Sequence, residues 1–147
     1  MQQHMGALYP FSLAQKLGKI TEPSPWYHDA QASPWRRPII PMEMISVLLG
    51  STSAQSGLSG RKPAVGLFAG QQIRLVKGPL FVGQDYELER EIVALSESAR
   101  TESVWVRTQV FEASPARPLV AEMILNGAVM KASYPAYEEE ARALGLA

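Results

Sequence analysis

The stretch Pro41-Met-Glu-Met-Ile-Ser-Val-Leu-Leu-Gly50 is apolar around most of a helical circumference, interrupted only by Glu43, Ser46 and Gly50 at spacings of three and four. Pro41 suits a first helical position and Gly50 an end, so the pattern predicts a buried helix over 41–50 with one narrow polar stripe. After a Ser- and Gly-rich loop at 51–62 the period changes to two. Val104, Val106, Thr108 and Val110 face one way, while Trp105, Arg107, Gln109 and Phe111 face the other. Strands are expected at 64–68, 71–77, 85–95, 103–113 and 119–133, separated by turns rich in Gly, Pro and Ser. The last of them, LVAEMILNGAVMKAS, is apolar on both faces, which places it centrally or at an interface.

The flanks are less regular. Pro10, Pro23, Pro25, Pro34 and Pro38 confine residues 1–40 to ordered loop with a short helix at 11–19. The tail 138–147 (EEEARALGLA) reads as a short helix with its carboxylates near the positive end of the dipole. One apolar helix followed by long antiparallel strands implies an α+β fold in which the sheet wraps around a central helix. The 147 residues suit a single such domain, with a segment 1–20 ahead of the helix at 41–50, the sheet over 64–133 and the tail helix at 138–147. About five strands do not close a barrel, so an edge strand stays open and dimerisation is expected, by sheet extension or by helix packing.

Charge and composition narrow the chemistry. Fourteen Lys and Arg balance fourteen Asp and Glu, which removes the electrostatic basis for a dedicated nucleic-acid binder or a polybasic membrane tether. With no Cys, and only His4 and His28 as imidazoles, disulfides, thiol chemistry and structural zinc lack their ligands, and no metal is expected. The N-terminus has no signal-peptide pattern, and no apolar run approaches the length of a membrane span, so a cytoplasmic protein is expected. The loop 51–62 lacks the Gly-x-x-x-x-Gly-Lys-Ser/Thr order of a phosphate cradle.

Glu22-Pro-Ser-Pro-Trp-Tyr-His-Asp29, followed by Ser33-Pro-Trp-Arg-Arg-Pro-Ile-Ile-Pro-Met-Glu-Met44, resembles the MaoC-like hydratase/dehydratase branch of the hotdog superfamily. In that branch an Asp-x-Asn-Pro-x-His loop precedes a Pro-Ile-x-His-Gly turn into the central helix, and a Pro-x-x-x-Gly-Asp segment opens the long strands. Pro79-Leu-Phe-Val-Gly-Gln-Asp-Tyr86 takes the last place, with Gln84 as an extra residue before Asp85. The resemblance implies a hotdog fold and the chemistry of a lyase of fatty acid metabolism. Water is added to, or removed from, the double bond of an acyl thioester carried on coenzyme A or an acyl carrier, with no separate cofactor.

Aligned on Pro25, Glu22 stands where the family has Asp, Ser24 where it has Asn and Tyr27 where it has the catalytic His. A phenol is a poor general base at neutral pH, and His28, one residue later, would have to rebuild the pair with Asp29. Pro41 and Met42 replace His-Gly, so the Met42 N–H becomes the expected donor to the thioester carbonyl, assisted by the helix dipole. The candidate catalytic residues are thus Glu22, Tyr27, His28 and Asp29. Met42, Glu43 and Ser46 are candidates for substrate binding, with Arg36 and Arg37 for the phosphates of coenzyme A. Trp26, Tyr27 and Trp35 are expected to anchor the Pro-rich loop to the sheet.

Three functions follow from these residues. The first is an acyl-thioester hydratase/dehydratase acting as a homodimer or beside another hotdog subunit. A second is a non-catalytic thioester-binding or partner subunit, as the altered loop would suit. The third is a thioesterase whose carboxylate is Glu43 on the central helix.

Overall fold

The computed structural model describes residues 12–19, 22–51, 56–58 and 63–146. The N-terminal segment up to residue 11, most of the loop 51–62 and Ala147 lie outside them. The described elements are α1 (Leu13–Leu17), α2 (Met42–Ser51), β1 (Gly66–Leu75), β2 (Tyr86–Glu97), β3 (Thr101–Glu112), β4 (Leu119–Met130) and α3 (Tyr137–Ala143), with single 3₁₀ turns at Pro25–Tyr27 and Lys131–Ser133. The strands form one antiparallel sheet in the order β1-β4-β3-β2, which makes this an α+β fold.

Local chemistry explains where the elements begin. A capping box opens α1: the Ser12 hydroxyl accepts from the Gln15 N–H at 3.2 Å, and the Gln15 side chain accepts from the Ser12 N–H at 2.8 Å. Helix α2 starts at Met42, one residue later than the pattern suggests, with the Pro41 carbonyl just ahead of it accepting from the Met44 N–H (2.9 Å). The helix also runs through Gly50 to Ser51.

The expected strands 64–68 and 71–77 are a single strand. Gly70, read as a break, is extended within β1, and a Cβ placed there would meet nothing within 4 Å. Among the described residues the sheet therefore has four strands, where the sequence pattern gives five. Strand β4, apolar on both faces, lies between β1 and β3 as its composition demands.

The chain forms two compact units. The first comprises 1–58, 73–89 and 109–122, and its core is built on α2. Met44 is fully buried against Leu17, Ile40, Val47, Leu48 and Val82, and Ile45, Leu49, Val110 and Val120 are buried as well. This is the inward face that the apolar pattern of 41–50 predicts. The second unit comprises 59–72, 90–108 and 123–147. Met123, Ala128, Ala141 and the hydroxyl-bearing Thr108 are buried in it, while Leu67, Phe68, Ile92, Val93 and Leu95 are exposed. Its residues are also tied by ion pairs, Arg107 to Glu91 and Lys131 to Glu97 (2.8 Å).

Candidate functional site

The Pro-rich stretch between α1 and α2 is ordered by a succession of side-chain caps. Ser24 caps the turn Pro25–Tyr27, its hydroxyl accepting from the Trp26 N–H at 3.3 Å. The Asp29 carboxylate accepts from the Gln31 N–H at 2.8 Å, and the buried Ser33 accepts from the Trp35 N–H at 3.3 Å. Arg36 then takes a left-handed backbone conformation, with φ of 55°. It is held there by its N–H on the Ser33 carbonyl (3.0 Å) and by its guanidinium on the Gln31 side chain (2.8 Å). Such a conformation is unfavourable for a residue with a Cβ, and the bonds to Ser33 and Gln31 hold it in place.

The same stretch is stitched to the segment between β1 and β2. The Ile40 N–H donates to the Leu80 carbonyl (2.7 Å) and the Val82 N–H to the Pro38 carbonyl (2.9 Å), around an isolated bridge between Ile39 and Phe81. Gly78, with φ of 69°, makes the turn that brings Pro79 back. Arg37 lies over the Phe81 ring at 4.2 Å. The Phe81 N–H donates to the Tyr86 hydroxyl at 2.8 Å, and burial pushes that phenol above its ordinary value although the bond from Phe81 opposes the shift.

These constraints leave a cleft of about 530 Å3 beside the first turn of α2. Glu22, Ser24, Trp26, Tyr27 and Trp35 form one side, and the other includes Pro41, Met42, Leu75 and Pro79. Trp26 and Trp35 meet edge to face, with centroids 5.8 Å apart and planes at 86°. They line the opening, 40% and 43% exposed, instead of being packed away as loop anchors. The Ser24 and Ser33 hydroxyls fix the backbone just ahead of each ring.

Of the candidate residues, Glu22, Tyr27 and Met42 come together on this cleft. His28 and Asp29 do not line it: both are exposed, His28 ending the 3₁₀ turn and Asp29 closing its own turn with Gln31. Arg36 and Arg37 are also outside the lining, engaged with Gln31 and Phe81. Glu43 is exposed and Ser46 half-buried further along α2, and neither lines the cleft. Leu75, Gly78 and Pro79 complete the wall without having been singled out as site residues; the Gly78-Pro79 pair signals a turn and nothing about what the turn faces.

Among the described residues no three His, Asp or Glu side chains gather as metal ligands would, and no helix is long and apolar enough to cross a membrane. A second opening, of about 730 Å3, lies in the other unit beside α3. Of the cations lining it, Lys131 is engaged with Glu97 and the Tyr137 ring and Arg142 with the Glu138 carbonyl at 3.2 Å, and Arg100 is the third.

No family model matches the sequence, and no curated protein does. Solved structures do. The (R)-hydratase from A. caviae involved in PHA biosynthesis superposes with a TM-score of 0.56 at 22% identity, over 86% of this chain and 89% of that one. The chain has the hotdog fold. A C-terminally truncated HadBC (3R-hydroxyacyl-ACP dehydratase) complex from Mycobacterium tuberculosis gives 0.57 at 16% identity, over 72% and 74% of the two chains. The MaoC-like dehydratase from Rhodospirillum rubrum gives 0.51 at 13%, over 88% and 86%.

With the hotdog fold in place, the position of the cleft has a physical meaning. The first N–H groups of α2 have no carbonyl partner within the helix, and the macrodipole makes that end electropositive. Met42, 52% exposed, carries the first of them at the cleft wall. A carbonyl oxygen seated there would meet an N–H donor and a favourable field.

Proposed function

We propose that the chain binds acyl thioesters, of coenzyme A or of an acyl carrier, and that it does so as a non-catalytic hotdog subunit pairing with a catalytic one. The observation that supports this is the composition of the cleft: Glu22 and Tyr27 line it, while His28 and Asp29 do not. Hydration of an enoyl thioester needs a group that takes a proton from water and a group that returns one to carbon. A phenol keeps its proton at neutral pH, and a single carboxylate supplies half of the pair. Recognition needs less: an apolar slot for the acyl group and the Met42 N–H for its carbonyl. HadBC is a complex of hotdog chains, which supports pairing as the setting in which a binding subunit is useful.

The test uses purified protein with crotonyl and longer trans-2-enoyl thioesters. Tryptophan fluorescence reports binding, absorbance the conjugated double bond, and a thiol reagent any hydrolysis. Saturable quenching with both chemical signals flat is the expected result. Loss of the double bond that disappears in Glu22→Gln or His28→Ala would overturn the reading in favour of a hydratase. Thiol release that disappears in Glu43→Gln would overturn it in favour of a thioesterase, and absence of quenching would remove thioester binding altogether.

A further inference from the structure

The walls of the cleft carry information about the group it takes. Two indoles stand at 86° to one another with centroids 5.8 Å apart, and Tyr27 adds a third ring to the same lining. An edge-to-face pair of indoles keeps a π face of each ring clear of the contact, and such electron-rich faces attract a cation. An aliphatic acyl chain would be served equally well by leucines.

Charge points the same way. Glu22 brings a carboxylate to the lining and has no cationic partner among the described residues. The neighbouring arginines are outside the cleft, Arg36 bound to Gln31 and Arg37 laid over Phe81, so among the described residues no positive side chain lines it. A carboxylate beside indole and phenol rings favours a positively charged ligand and disfavours an anionic one. Both tryptophans remain 40% or more exposed, leaving apolar ring surface open for a ligand to cover. A cleft of about 530 Å3 holds a trimethylammonium head with space for the chain that bears it.

We infer that Trp26, Tyr27, Trp35 and Glu22 form an aromatic cage for a methylated ammonium group, so that the acyl thioester bound here is one whose acyl part carries that cation. The cation site stands on the cleft itself, and its placement on an acyl thioester rests on the function proposed above. Glu22, at the position the resemblance gives to a catalytic carboxylate, then serves as the counter-ion of the ligand.

The experiment compares choline with 3,3-dimethylbutan-1-ol, which has the same shape without the charge, in fluorescence titrations of the full chain. Crotonyl-coenzyme A is titrated in parallel as the neutral thioester. Choline is expected to bind at least about tenfold more tightly than the alcohol, the upper part of the cation–π range expressed as affinity. Glu22→Gln should weaken choline severalfold and leave the alcohol unchanged. Trp35→Tyr should retain the preference and Trp35→Leu should lose it, with ligand-observed NMR replacing fluorescence for these two variants and circular dichroism confirming their fold.

Equal binding of choline and the alcohol would overturn the cage and leave an apolar slot. Crotonyl-coenzyme A binding without choline binding would overturn the cage while sparing the thioester reading. Preference for choline with no binding of crotonyl-coenzyme A would support the cage and overturn recognition of neutral acyl thioesters.

Discussion

Replacing Met44 by alanine tests the assignment of the buried face of α2 directly. Met44 has no exposed surface and packs against Leu17, Ile40, Val47, Leu48 and Val82. Truncation deletes Cγ, Sδ and Cε, and at about 0.8 kcal/mol for each methylene-sized group the transfer contribution is about 2.4 kcal/mol. Incomplete collapse of the cavity raises the cost to about 3–4 kcal/mol, inside the usual range for such a change. For a chain of this length that loss lowers Tm by about 6–16 °C. Urea unfolding followed by tryptophan fluorescence and by far-UV circular dichroism gives the free energy, provided the two probes coincide. Two comparisons sharpen the result. Met44→Leu, which conserves volume, should cost less than about 1.5 kcal/mol. Met42→Ala, on a side chain 52% exposed at the cleft, should change stability by less than about 0.5 kcal/mol. A cost below about 1 kcal/mol for Met44→Ala, or an equal cost for Met42→Ala, would refute the assignment of that face to the core.

Two further substitutions probe the segment that closes the cleft. Burial raises the Tyr86 phenol above its usual value of about 10, so the folded state holds this proton more tightly than the unfolded chain does. The resulting contribution is complete below about pH 10 and is lost as pH rises toward the raised value. Tyr86→Phe should therefore flatten the alkaline fall of the urea midpoint and cost about 0.5–1.5 kcal/mol at neutral pH through the lost Phe81 N–H bond; an unchanged alkaline slope would contradict it. Gly78→Ala should lower stability by about 1–2 kcal/mol in thermal melts. The penalty is conformational, because the added methyl would meet only the Trp35 indole nitrogen at 4.0 Å while φ is 69°. Gly70→Ala, in extended β1 with open space around it, is the control that should cost nothing; equal losses at both glycines would dismiss the backbone explanation.

The elements were legible where one periodicity persisted over many residues. The stretch 41–50 is apolar around nearly all its circumference, and only a buried helix accommodates that; Met44, Ile45 and Leu49 are indeed inside. The alternation around Thr108 and Val110 identified the buried side of β3 in the same way, since a strand has only two sides. Gly70 was misread because glycine marks turns by frequency, whereas its cost in an open strand is a small entropic one that neighbouring pairings offset. The site was legible in part. The spacing around Pro25 puts Glu22 and Tyr27 on one cleft, because a Pro-started turn has few conformations. Trp26 and Trp35, nine residues apart in an aperiodic loop, meet within a stretch held by the Ser24 and Ser33 caps and by the Ile39 N–H on the Trp26 carbonyl (2.9 Å), and no repeat in the sequence encodes that meeting.

Among the described residues strand β2 ends one side of the sheet, and from Glu91 to Glu97 every side chain on it is exposed, with Ile92, Val93 and Leu95 among them. Sheet edges are commonly guarded by unpaired charge that repels a second molecule. Here the guards are already engaged: Glu87 and Glu89 hold Arg117, Glu91 holds Arg107 and Glu97 holds Lys131. Among the described residues no further strand pairs with the outer side of β2. The consequence is colloidal. The dispersity of the purified chain should follow its concentration far more closely than the salt in its buffer, and whatever shields β2 in the cell sets the shelf life of the protein outside it.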